Sequence, residues 1–180
     1  MVRSRRSGFT LIEIMIVVGI IGLLVAVLLT VLLSASDKGD VGKARNFCNT
    51  LVPSAIMKWQ EDNGQDRHSY PATPKMAPGV DAEGNKILYE EFVTRPDKSG
   101  KGAYITADNF TEGMIDGKKV FLDPWNNPYI YRNHAQRRTK SGSTKPFPES
   151  LKKNPGSYDI ISMGPDGLPD TEDDIWNGSP

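Results

Sequence analysis

From Ile14 to Leu33 the chain carries no charged residue. A run of about 20 such residues is long enough to cross a bilayer as a helix. The residues Met1 to Arg6 that lead into it are basic through Arg3, Arg5 and Arg6 and contain no acid. The positive-inside tendency keeps that end in the cytoplasm and places the C-terminal part outside. A secretory signal peptide fits poorly, because its apolar region is about 7–15 residues with a small-residue cleavage site after it. Here the small-residue step, Ser7-Gly8, lies before the run. A plain single-span anchor fits better but leaves Glu13 unexplained. A carboxylate is costly at mid-bilayer and less so near the interface. Either Glu13 stays wet among the headgroups, or it finds a partner. A cut after Gly8 would give Phe9 a new amino group one helical turn from Glu13.

The remainder is short of core-forming residues. Of 180 residues, the hydrophobic ones are concentrated in the apolar run, and the polar stretch beyond it is rich in Gly, Pro and Asp. A small polar domain often needs a disulfide, a metal or assembly to stabilise it. Cys48 is the sole cysteine, so no intrachain disulfide forms. A metal or assembly remains. The formal net charge is +0, which implies no nucleic-acid partner.

Beyond the span, Val41, Ala44, Cys48, Leu51, Ala55 and Trp59 recur at helical spacing and form one face of an amphipathic helix. Helix from Phe9 to about Asn63 would be roughly 80 Å long. Pro53 should kink it or break one hydrogen bond, and Gly64 is its natural C-terminal cap. Cys48 reads as a small buried hydrophobe. Residues 72–118 read as irregular, broken by Pro74, Pro78, Gly79, Gly84, Pro96, Gly100 and Gly102. Tyr129-Ile130-Tyr131 and Tyr158 to Ser162 are strand candidates. Between them Arg132 to Gly156 reads as a solvated basic loop. In Asp123-Pro124-Trp125-Asn126-Asn127-Pro128-Tyr129, Pro124 fixes a turn and Asn126 or Asn127 can adopt a left-handed conformation. Trp125 is large enough to plug a small core.

Residues 164–175 hold five carboxylates: Asp166, Asp170, Glu172, Asp173 and Asp174. They repel one another unless compensated. The segment is either a solvated acidic tail or a site for a hard divalent cation, of which Ca²⁺ suits a flexible oxygen set. It lacks the EF-hand pattern and the His and Cys that zinc prefers.

Ser7-Gly8-Phe9-Thr10-Leu11-Ile12-Glu13-Ile14-Met15 resembles the prepilin peptidase site of type IV pilins and type II secretion pseudopilins. The resemblance implies cleavage after Gly8, N-methylation of Phe9, and a role for Glu13 in pairing with the terminal amine of a neighbouring subunit. Many members carry a helix-kinking proline late in the span, where this chain has Thr30. Asp62-Asn63-Gly64 with Tyr70-Pro71, and the Asp123 to Tyr129 string, are similar to segments of the major pseudopilin. So is Ser162-Met163-Gly164-Pro165-Asp166-Gly167 with Asp173-Asp174-Ile175, which resembles that family's calcium loop. It implies Asp166, Asp173 and Asp174 as side-chain ligands of Ca²⁺, with the carbonyls of Met163 and Leu168 as weaker candidates, Asp170 and Glu172 outside the set, and Trp176 closing the tail against the head.

The expected fold is α+β and type IV pilin-like: a long N-terminal helix, membrane-spanning in its first half, packed on a small antiparallel β-sheet head with a C-terminal calcium-type loop. The expected divisions are a leader at 1–8, an assembly helix at 9–33, its amphipathic half at 34–64 and a head at 65–180. The resemblance implies a homopolymer in contact with membrane lipid, prepilin peptidase, minor pseudopilins and an inner-membrane secretion platform. It places the chain in the bacterial inner membrane, head in the periplasm. A type IV pilus subunit is the alternative, although the single cysteine forbids the C-terminal disulfide that many pilin heads carry. An anchored enzyme is the third reading. His68 and His134 lie in polar loops, and there is no nucleophile elbow, phosphate loop or paired-His motif to support it.

Overall fold

The computed structural model describes residues 9–73, 82–135 and 148–179; the side chains of residues 30–37, 97 and 149 lie outside it as well. The expected leader 1–8, and Arg137, Arg138, Lys140 and Lys145 of the basic loop, fall outside the described residues. The chain divides into two units, Met1–Gly39 and Asp40–Pro180. Residues 40–62 of the helical stretch fall in the second unit together with the head.

Helix α1 spans Leu11–Asn46. Within it Leu11–Leu29 has a mean hydropathy of 3.0 and none of it is buried. Its leucines, isoleucines and valines are exposed all round. A helix that is apolar on every face suits lipid or a helix bundle, not water.

In the second unit the helix runs on through a π-helical turn, Phe47–Leu51, into α2, Val52–Asp62. The N–H of Val52 reaches the carbonyl of Phe47. The same arrangement recurs downstream. After α3, Glu83–Tyr89, a π turn over Glu90–Thr94 carries the N–H of Arg95 to the carbonyl of Glu90, and α4, Arg95–Lys98, comes next. Each π turn is followed by a proline at the second position of the next helix, Pro53 and Pro96. Proline has no N–H, and its ring clashes with the preceding turn of a regular helix. Widening that turn accommodates the ring without ending the helix. Pro53, expected to kink the helix or break one hydrogen bond, is accompanied by a local change of ladder register. Gly64 does cap α2: its φ is 59°, its N–H donates to Glu61, and Gln65 N–H donates to Gln60. That pair of bonds is the Schellman arrangement.

The reading of 72–118 as irregular is corrected by α3, α4 and a hairpin, β1 at Thr111–Ile115 and β2 at Lys118–Leu122. Its turn is Asp116-Gly117, with φ of 50° and 72°, the paired left-handed conformation of a two-residue hairpin. A second sheet has the order β3-β4-β5, all antiparallel: Ile130–Asn133, Tyr158–Ser162 and Ile175–Trp176. Both expected strands are present, and β5 comes from the end of the acidic tail.

The core lies between α2 with its π turn, α3 and the sheets. Phe47 stacks on Tyr129 at 4.1 Å. Phe121 meets Phe47, Tyr89 and Phe110 at ring-centroid distances of 5.3, 5.0 and 4.7 Å. Such pairs add to the stabilisation that burial provides. Ala44, Cys48 and Ala55 are buried as expected, and Val52 and Ile56 widen the same face. Cys48 Sγ donates to the carbonyl of Ile175, and burial pushes its thiol well above the ordinary range. Trp125, expected as a core plug, is only half-buried; Tyr129 and Asp123 of the same turn are the buried residues.

Two buried groups with no hydrophobic signature fix this arrangement. Asn85 is fully buried; its Nδ2 donates to the carbonyls of Phe121 and Tyr129, and its Oδ1 accepts from the N–H of Phe121. The preceding Gly84 lets α3 press against β3, because a Cβ there would clash with the Tyr131 carbonyl oxygen. Backbone cannot yield as a side chain tip can, so Gly84→Ala should destabilise the head by about 3 kcal/mol. Denaturant unfolding checks this; a loss near zero would mean α3 is free to move.

Candidate functional sites

The first site is the start of α1. Phe9 is 85% exposed. Thr10 N–H and Oγ1 donate to Glu13 Oε2 at 2.8 and 2.9 Å, and Glu13 N–H donates to Thr10 Oγ1 at 3.3 Å. This reciprocal pattern is a capping box, in which a Thr and a Glu three residues on satisfy the first free N–H groups of a helix. Glu13 thus serves its own helix while standing one turn from Phe9. Gly8 lies outside the described residues.

The second site is the loop from Met163 to Asp174. The Asp123 turn supports it from below. Asp123 Oδ1 accepts from the N–H groups of Trp125 and Asn127, and its Oδ2 accepts from Ser162 Oγ. Burial raises the Asp123 carboxyl, and those donors hold the rise back. Asn126 takes a φ of 68°, the left-handed conformation expected of it. Asn127 Nδ2 donates to the Gly164 carbonyl at 3.0 Å. Trp176 packs on Ile130, Ile161 and Met163, closing the tail as expected.

Within the loop Asp166, Asp173 and Asp174 cap neighbouring donors. Asp166 Oδ1 accepts from Leu168 N–H at 2.8 Å. Asp173 Oδ1 accepts from Thr171 Oγ1 at 2.7 Å and Oδ2 from Asp166 N–H at 3.3 Å. The Thr171 bond is the first cause holding the Asp173 carboxyl below the usual range. Asp174 Oδ2 accepts from Asp170 N–H at 2.8 Å. Its Oδ1 is buried with no hydrogen-bond partner, and burial pushes its carboxyl up to about 6. A buried acceptor left without a donor is costly, and a cation would satisfy it. The donors are all oxygen, and Asp166 and Asp173 sit in one loop with Asp174, so the residues fit a hard divalent ion. Among the described residues no three acidic, His or Cys side chains already converge as a metal cluster. The Leu168 carbonyl accepts from Thr171 Oγ1, and the Met163 side chain is buried in the apolar cluster beneath the loop.

His134 lies in the loop that follows β3, as read, but its side chain is buried there. His134 and Asp159 are fully buried side chains, with Nε2 donating to Oδ2 at 2.7 Å. Asp159 also accepts from the N–H groups of Lys153 and Asn154. Burial works against its charge, but these donors outweigh it and hold the carboxyl below the usual range. A lowered folded value stabilises above the unfolded carboxylate range, near pH 4, and is lost as pH falls through the folded value. Melting of wild type and Asp159→Asn should therefore differ most above pH about 4 and converge below it. A pH-independent difference would contradict this. The pair ties both stems of the basic loop together; an i, i+25 contact has no local sequence signal.

An N-terminal helix built for lipid, opened by Thr10 and Glu13, in one chain with an α+β head is the organisation of N-terminally methylated pilin-like proteins. The family model for the prokaryotic N-terminal methylation motif matches residues 3–34. The chain is 31% identical over 174 residues to the type II secretion system core protein G of Escherichia coli (strain K12), covering 97% of this chain and 92% of that one. It is 31% identical over 177 residues to the same-named protein of Aeromonas hydrophila, covering 98% and 95%. It is 30% identical over 180 residues to that of Pseudomonas aeruginosa, covering 98% of each. No solved structure gave a significant match. The chain belongs to the type II secretion system core protein G family.

Proposed function

We propose that this chain is the structural subunit of a type II secretion pseudopilus. The observation that carries the reading is the near-full-length likeness to core protein G, which takes in apolar helix, head and acidic loop together. In this reading prepilin peptidase cuts after Gly8 and Phe9 is N-methylated. The chain stands in the bacterial inner membrane with its N-terminus cytoplasmic and its head in the periplasm. It then polymerises with copies of itself, meeting minor pseudopilins and the inner-membrane secretion platform. The growing filament drives folded cargo outward. The relatives are named for the secretion system, which sets the pilus alternative aside, and a core structural protein calls for no catalysis.

The helix chemistry suits the task. A carboxylate and an ammonium are each costly in an apolar bundle, and pairing offsets both. Glu13 of an incoming subunit would exchange its Thr10 donors for the Phe9 amine of a neighbour. In the head, Asp166, Asp173 and Asp174, with the carbonyls of Met163 and Leu168, would hold Ca²⁺. When bound, the ion supplies positive charge to a loop whose acids otherwise repel. The buried, unpartnered Oδ1 of Asp174 supports this.

Deleting the gene in its own host tests the function. Export of secreted protein to the medium should stop while surface pili remain. Lost pili with unchanged export would overturn the secretion role.

A further inference from the structure

Arg132 sits where a strand facing a small core should be apolar. It is 1% exposed, on a strand whose residues are all buried. Its register partner on β4 is Asp159, already engaged by His134 and the Lys153 and Asn154 backbone. Toward the acidic loop, Arg132 Nη1 lies 3.9 Å from Asp170 Oδ1. A guanidinium keeps its proton in a protein. It is therefore a permanent charge withdrawn from water, and such a charge needs compensation. The loop has the opposite excess in Asp166, Asp170, Glu172, Asp173 and Asp174. Asp170 takes a left-handed φ of 66°. In that conformation its N–H meets Asp174 while its carboxylate meets Arg132.

We propose that Arg132 is a built-in counter-cation of the acidic loop, supplying from within the fold part of the positive charge that a divalent ion supplies from outside. The inference rests on the calcium reading of the loop and assigns what sets its dependence on the ion. It also gives Asp170 a role, as the acid that answers the arginine and not the metal.

The test uses the full chain in detergent, melted in chelator and in excess calcium chloride. Arg132→Met removes the charge and keeps an unbranched apolar stem. Its melting temperature should fall more in chelator than in Ca²⁺, so the Ca²⁺-induced rise widens by roughly 5 °C over wild type. Arg132→Lys should restore most of the wild-type behaviour. Equal losses in both conditions would make Arg132 a packing residue and overturn the proposal. If neither wild type nor variant responds to Ca²⁺, the calcium reading fails by itself. The counter-cation is then judged in chelator by the Arg132→Met, Asp170→Asn double-mutant cycle, where zero coupling overturns it. Should Arg132→Met not fold in either condition, Asp170→Asn alone decides. Asparagine tolerates the left-handed backbone, and losing an acid beside Asp174 relieves repulsion, so both effects favour a higher melting temperature. The counter-cation predicts a lower one, because a buried guanidinium loses an acid that it faces; an unchanged or raised value overturns it.

Discussion

Replacing Glu13 with valine should leave the chain in the membrane and stop filament assembly. Valine suits a bilayer, so the span Leu11–Leu29 keeps its anchoring capacity. The loss is of the one charged group in the span Leu11–Leu29. In the separate chain that carboxylate serves Thr10, so the variant also loses a helix cap. Thr10→Val separates the two roles. It removes the hydroxyl of the capping box and keeps the charge, so filaments should persist with at most a modest loss. Membrane fractionation reads insertion, and electron microscopy of sheared cells that overproduce the secretion apparatus reads assembly. Normal filaments from Glu13→Val would take Glu13 out of the mechanism. Equal defects in both variants would make its role a helix cap.

Calcium should raise the melting temperature of the chain in detergent, and chelator should lower it. An ion that binds only the folded state at a hundredfold excess over its dissociation constant stabilises by about 2.7 kcal/mol. For a head of this size that corresponds to a shift of about 8 °C. Mg²⁺ should do less, because it demands tighter octahedral geometry and releases water reluctantly. Asp173→Ala should remove most of the shift. Asp170→Asn should keep it, since Asp170 answers Arg132. The bond from Thr171 to Asp173 is worth little compared with this, so Thr171→Val should leave most of the calcium effect. A wild-type chain indifferent to Ca²⁺ and chelator at low ionic strength would show the loop to be an acidic tail.

How much the sequence discloses here depends on the range of the forces involved. The apolar run, the face through Ala44, Cys48 and Ala55, and the cap at Gly64 are local patterns, and each stands where expected. The β1–β2 hairpin had a readable signal in Asp116-Gly117, outweighed by the many glycines and prolines around it. Helix α3 was hidden for the opposite reason. Gly84 lowers helix propensity, but it is there because no side chain fits against Tyr131. Pro96 suggested a break and is absorbed by a widened turn. Asn85, His134 with Asp159, and Arg132 with Asp170 are polar residues whose burial depends on partners distant in the chain. No periodicity marks them. In the acidic loop the charges were plain from composition, whereas the orphaned oxygen of Asp174 needed the fold around it.

The intact mass and N-terminal fragment ions of the chain extracted from membranes of its host bear most directly on the central claim. A pseudopilin processed at this motif begins at Phe9 with a methyl group on its amine, and retains the whole apolar helix. The expected species lacks residues 1–8 and carries one methyl at its first residue. A mature chain that begins near Ser34, with the apolar run removed, would identify an ordinary export signal and contradict the assembly helix, the role of Glu13 and the filament together.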